Sequence, residues 1–335
     1  ALWAAYQYLV VGTIGATFLL IGIGFLYSLT GTLNIADLAS RLPALAGSVA
    51  VYAAFAFILV GICLKLALFP LHLWLPNAYA YAPSIATAFL AATATKVAVY
   101  LLIRFHFSVF GKDFTDAAFP VETIFLVLGV AGVFVASTVA IYQENVKRLF
   151  AYSSVAQIGY MIIGLGIGSA TGVQATLIHL FNHALMKGAL FLALAIVVHR
   201  LGTAELSGLR GLGRTMPLTT AAIVIAGLSL IGMPLTVGFV SKWYLVMGAI
   251  EQGLWPLALL IVLGSVLAIL YVWRLVEVVY FREAEGVGGL RKEAPLSMLI
   301  PLWVLVLANL YFGINTDFTI ETSAAAVQQL MGGEL

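Results

Sequence analysis

Nine runs of predominantly apolar residues, each about as long as a bilayer is thick, leave this chain few ways to fold. Between polar, Gly and Pro punctuation they cover roughly 3–29, 48–79, 84–107, 121–142, 147–168, 172–200, 217–250, 255–281 and 296–313. A helix satisfies its own backbone polar groups, which is the requirement lipid imposes, and about 20 residues suffice to cross. An all-α, polytopic integral membrane protein is therefore expected. Charge agrees: 9% of the 335 residues are Asp, Glu, Lys or Arg, where a soluble domain carries about 25%. The outer surface must meet lipid. A net charge of +2 without any basic run gives no basis for nucleic-acid binding. Cys63 is the single cysteine, which excludes an internal disulfide and a thiolate metal cluster. No basic segment or cleavage site precedes the first apolar run, so no signal peptide is read.

Two runs exceed one straight span and carry breakers. The run 48–79 holds Phe69-Pro70 and Leu75-Pro76; 217–250 holds Gly232, Pro234 and Gly238. Proline removes a backbone donor and clashes with the preceding turn. Inside a membrane such a break survives only where protein or water meets the freed groups. Pro70, Pro234 and Gly238 are thus expected to mark two broken helices beside an internal polar path, an arrangement transporters use near the midplane.

The basic residues sort unevenly. Lys147, Arg148, Arg200, Arg210, Arg214, Arg282, Arg291 and Lys292 fall on one side, and Arg41, Arg104 and Lys112 on the other. The positive-inside rule makes the first side cytoplasmic, with the residue-1 end inside and the C-terminus outside. Lys65, Lys96, Lys187, Lys242 and Arg274 remain within spans. Arg274, near a span end and three residues before Glu277, is expected to form a structural ion pair with it. The four lysines are different. Each would cost about 2.5–3.5 kcal/mol against lipid at the bilayer centre, and snorkelling relieves residues near helix ends only. They are expected to face a hydrated interior, where burial disfavours the charged form and lets a lysine exchange its proton near neutral pH.

His179, His183 and Lys187 recur at i, i+4, i+8 and share one helix face, with Asn182 beside them. Histidine can pass a proton between its two nitrogens. The pair could instead hold a metal or form a plain buried hydrogen-bonded pair. No glutamate follows the first histidine as in HExxH, and no third ligand lies nearby; no metal and no cofactor is expected. Of the 14 acids only Glu277 falls inside a span, with Glu122 and Glu144 at helix ends, so the lysines lack an obvious carboxylate partner. The glycines Gly159, Gly164, Gly166 and Gly168 read as close helix packing. No nucleotide loop, haem pattern or iron–sulfur cysteine set is present, so any redox chemistry would belong to partner subunits.

Four ordered segments carry a family resemblance. KLALFPLHLWLPNAYAYAPSIATAFLAATATK (Lys65 to Lys96), ENVKRLFAYSSVAQIGYM (Glu144 to Met161), HLFNHALMKGALFL (His179 to Leu192) and LIGMPLTVGFVSKWYL (Leu230 to Leu245) resemble the proton-translocating antiporter-like subunits shared by Mrp-type cation/proton antiporters and respiratory complex I. The resemblance implies helices six to fourteen of a fourteen-helix fold built on two inverted repeats, each with a broken helix. The first repeat would end near residue 110, the second would occupy 111–285, and 286–335 would hold a final helix and tail. It implies a relay through Lys65, Lys96, Lys187 with His179 and His183, and Lys242, with Lys147 a further lysine at the cytoplasmic end of its helix. The family pairs the first broken-helix lysine with a glutamate on helix five, which is absent from this sequence. Partners would be other membrane subunits, lipid, protons and Na+, in a bacterial inner membrane. The stretch GTLNIADLA at Gly31–Ala39 inclines the reading to a D-type Mrp subunit. An M/N-type subunit of a complex I-like, hydrogenase-linked or CO2-uptake assembly is the alternative, and a stand-alone anion transporter is a more distant one.

Overall fold

The computed structural model describes residues 1–45, 47–112, 114–115, 119–283 and 293–332, and among them every regular element is helical. Arg291 and Lys292, counted above on the basic side, lie outside the described residues, as does the expected boundary at 285/286. Among the described residues eight helices are long and apolar enough to cross a membrane. Seven match expected runs to within a few residues; the run 48–79 is met by Val49–Leu66 alone, and 217–250 divides into two shorter helices. α1 (Leu2–Thr30) ends where Gly31 turns left-handed at φ 72° and returns its N–H to Tyr27 O. A short α2 (Ile35–Arg41), capped by the Asn34 side chain, follows it; Arg41 beside Asp37 holds that carboxyl below its usual range.

The first broken helix is α3 (Val49–Leu66) followed by α4 (Trp74–Tyr81). Its interruption contains Ala67 at φ 60° and a cis Phe69-Pro70 bond. α5 (Ser84–Ile103) continues into a π-helical turn, Arg104–Val109. α6 (Val121–Ile141), α7 (Val146–Gly166) and α8 (Ala170–Leu201) come next. The second broken helix is α9 (Pro217–Ile231) plus α10 (Val237–Glu251). Gly232 at φ 94° ends α9, and Pro234 lies in the interruption. Gly238 lies inside the first turn of α10 rather than in the interruption. A Cβ there would stand 1.8 Å from Ser229 O, so this glycine sets how closely the two halves approach. α11 (Trp255–Val276) also runs into a π-helical turn, Glu277–Phe281. α12 (Leu296–Ile314) is the last span, and the tail folds as α13 (Asp317–Met331), which the sequence reading did not anticipate.

α7 is the hub. All its residues except Arg148 and Tyr152 are buried, so it meets protein on every side. By contrast 17% of the central window of α1 is buried, which leaves that helix mostly for lipid or a neighbour. Small residues permit the close contacts. A Cβ on Gly159 would meet Gly129 O at 2.7 Å, and one on Gly166 would meet Leu126 N at 2.8 Å. The packing reading of Gly159, Gly164 and Gly166 holds. Gly168 serves differently, turning the chain after α7 at φ 71° beside the Glu122 carboxylate.

The expected Arg274–Glu277 pair is corrected. The Arg274 guanidinium instead donates to Ile141 O (2.6 Å) and Gln143 O (2.9 Å) and pairs with Glu144. Glu277 pairs with Arg282 at 2.6 Å. The cause is the C-terminus of α6, whose unpaired carbonyls and negative dipole end attract a cation more than one carboxylate on the same helix does.

Candidate functional site

The second interruption shows how the fold uses a charged residue. The last carbonyls of α9 have no helical partners, and Lys242, in the second turn of α10, reaches back to them. Its amine donates to Leu230 O at 3.1 Å, Ile231 O at 2.8 Å and Ser265 Oγ at 3.0 Å. It also lies 4.7 Å above the Tyr160 ring, a cation–π distance. Gln157 adds a longer bond to Leu230 O (3.4 Å), and Asn182 donates to Val237 O at 2.7 Å. Ser229, accepting from Gly238 N, donates in turn to Asn309 on α12. The two carbonyls freed at the end of α9, Leu230 O and Ile231 O, thus meet side chains of α10 and α7.

α8 carries the centre. Lys187 is wholly buried and donates to Phe150 O (2.8 Å) and Ser153 Oγ (2.5 Å) on α7. His179 Nδ1 meets Ser241 Oγ at 2.7 Å, next to Lys242 in sequence. The His179 and His183 rings lie parallel, with centroids 5.9 Å apart. Among the described residues His179 Nε2, both nitrogens of His183 and Asn182 Oδ1, on one face of α8, are buried without a hydrogen-bond partner, as is Gln157 Oε1 on the facing α7. Buried polar atoms are nearly always paired, to protein or to ordered water. A row of them along one helix face is a path that water can complete.

Lys96, on α5 against α8, is buried and donates to Ala91 O in its own helix, with Thr95 Oγ1 unpaired beside it. Lys147, in the first turn of α7, donates to Ala82 O (3.3 Å) at the α4–α5 junction. Lys65 departs from the expectation that all four lysines face inward. It is exposed on α3, with its stem against Gly15 of α1, and among the described residues its amine meets no polar partner. The two interruptions differ in the residue used: Trp74 of α4 donates its Nε1–H to Leu64 O of α3 at 2.9 Å over the first, and Lys242 of α10 reaches back over the second.

Among the described residues none of Lys96, Lys187 and Lys242 forms an ion pair with a carboxylate. No group of three or more His, Cys, Asp or Glu comes together there. Ser153, Ser241, Ser265, Gln157 and Tyr160, absent from the expected relay, complete the polar axis. Their signal was a polar group inside an otherwise apolar run. His72 also went unassigned; it lies buried in the first interruption, stacked on Phe69 at 5.4 Å and edge-on to Tyr152 at 6.3 Å.

Broken membrane helices, buried lysines without carboxylate partners among the described residues and a polar central helix define an antiporter-like integral membrane subunit. The family model described as NADH:quinone oxidoreductase/Mrp antiporter, TM, matches residues 1–268, and the chain belongs to this family. It is 43% identical over 333 residues to NADH-quinone oxidoreductase subunit N of Desulforudis audaxviator, covering 95% of this chain and 66% of that one. In structure it is similar to a chain of the Mrp complex from Dietzia sp. DQ12-45-1b (TM-score 0.89, 26% identity, 98% of this chain and 68% of that one). It is also similar to a chain of the membrane-bound sulfane sulfur reductase, an archaeal respiratory membrane complex (TM-score 0.86, 31% identity, 99% and 68%). The chain spans about two thirds of the length of these relatives.

Proposed function

We propose that this chain translocates protons as the N-type, antiporter-like membrane subunit of a complex I-like respiratory assembly. One observation carries the reading: Lys96, Lys187 and Lys242 are buried on three packed helices without carboxylate partners, and unpaired polar atoms of His179, His183, Asn182 and Gln157 accompany them. Protons would move between the lysines through these groups and water, because each amine sits where gain or loss of charge is felt by the next. Lys147 would serve the end rich in basic residues, which the positive-inside rule makes cytoplasmic. Lys65 would complete the first half only when a carboxylate from another segment or subunit covers its exposed face. Redox chemistry would reside in partner subunits, and the host membrane would be a bacterial inner membrane.

The D-type Mrp reading, with Na+ as the coupled ion, retains one observation in its favour: the TM-score of 0.89 to a chain of an Mrp complex. The 43% identity to a subunit N weighs more, because sequence separates branches of a fold that structure leaves alike. Vesicles carrying the assembled complex, with Lys96→Ala or Lys242→Ala, test the proposal. The expected result is at least a tenfold loss of proton flux with assembly intact. Unchanged flux in both variants sinks the relay, and Na+ flux coupled to protons without quinone reduction favours the Mrp branch.

A further inference from the structure

A lysine ammonium has three donors and no acceptor. Around Lys242 stand three oxygens, Leu230 O, Ile231 O and Ser265 Oγ, at 3.1, 2.8 and 3.0 Å, so the charged form is fully met. After losing its proton the amine keeps two donors and gains a lone pair. The two carbonyls can accept the remaining N–H groups but can give nothing to the lone pair. Of the three partners only the Ser265 hydroxyl is both donor and acceptor. Its own proton is directed at Ile261 O over 3.4 Å, a long bond that costs little to give up. Ile261 O then keeps the Tyr160 hydroxyl, also at 3.4 Å.

We propose that Ser265 is the positioning residue that lets Lys242 exchange its proton, accepting from the ammonium and turning to donate to the neutral amine. In the step one Nζ–H bond breaks, its electron pair stays on nitrogen, and the proton passes to a water, which carries the positive charge away as hydronium. The Ser265 O–H then rotates from Ile261 O to Nζ. No other protein group changes charge. Ser265 suits the place: it is half-buried on α11, flanked in sequence by exposed Val262, Leu263 and Val266, so it stands between the buried amine and the rim of the protein. The titratable groups nearest Lys242 on the elements packed around it are few; Tyr244 and Glu251 of its own helix, Lys187 of α8, Lys147 and Tyr152 of α7 and Arg274 of α11 lie further along. α7 presents Tyr160, α8 presents His179 with His183 behind it, and α11 presents the buried Tyr271 further along. α9 has no titratable residue, and α12 has Tyr311 alone, exposed at its end. None of these replaces a hydroxyl at 3.0 Å from the amine.

The inference rests on the relay reading above, and the test separates the two. Proton pumping by the assembled complex in vesicles is followed against pH for wild type, Ser265→Ala, Ser265→Thr and Lys242→Ala. A bond to an ammonium is about twice as strong as one between neutral groups, so losing the hydroxyl penalises the charged form more. The alkaline limb of the profile, where Lys242 would lose its proton, is expected to move to lower pH by about one unit in Ser265→Ala. Ser265→Thr, which keeps a hydroxyl, returns it to the wild-type position. If Lys242→Ala stops pumping but Ser265→Ala leaves the limb in place, or lowers the rate equally at every pH, the role of Ser265 is overturned and the relay stands. If Lys242→Ala pumps like wild type, the relay reading itself fails.

Discussion

Buried lysines in this protein differ by what they hold on to. Lys242 binds the carbonyl ends of a helix, and Lys187 binds one carbonyl and one serine on the hub helix. Lys96 turns back on its own backbone. Each is met by neutral oxygens, which steady a charge without pinning it as a carboxylate would. Removing one of two partners should therefore be felt: Ser153→Ala is expected to slow proton transfer several-fold while assembly persists, as measured by pumping per turnover. Arg274 has the opposite character. Its guanidinium ties α11 to the α6–α7 junction through two carbonyls and Glu144. Arg274→Met should cost about 2 kcal/mol, in the range for hydrogen bonds to charged groups, lowering the unfolding temperature without changing pumping by the surviving complex.

The second broken helix is stable because other elements complete it. α8 supplies Asn182, α7 supplies Gln157 and α12 supplies Asn309, while α10 folds Lys242 back onto α9. Close approach makes this work, and glycine allows it. Gly238→Ala would force Ser229 O, a backbone atom, away from its place, so the variant should fail to assemble or unfold at markedly lower temperature. Gly159→Ala, wedged against the α6 backbone, should cost about 1–3 kcal/mol by overpacking, read in the same thermal assay. The prolines revealed both interruptions in the sequence. They did not reveal which side chain of the second half reaches back, Trp74 over the first break and Lys242 over the second, because that depends on how the two halves pack.

At the scale of the molecule, each broken helix is followed by a helix ending in a π-helical turn, Arg104–Val109 after α5 and Glu277–Phe281 after α11. That recurrence fits the two-repeat organisation implied by the family resemblance. Spans were legible because lipid demands long apolar runs. The faces of the helices were not, since lipid and protein interior are both apolar and the pattern loses its contrast. So the outward aspect of Lys65, the partner of Arg274 and the surface helix α13 emerged only from packing. In the assembled complex the Lys65 face should be covered: a spin label at a Lys65→Cys site is expected to be shielded from lipid-borne oxygen, and free access would contradict a partner there. The relay itself turns on its most buried member. Lys187→Met roughly keeps the volume and removes the titratable amine, and Phe150 O keeps the Ser153 and Ser154 hydroxyls as donors. In vesicles carrying the assembled complex, this variant is expected to lose proton translocation through the subunit while the complex stays intact; pumping at the wild-type rate would contradict the account.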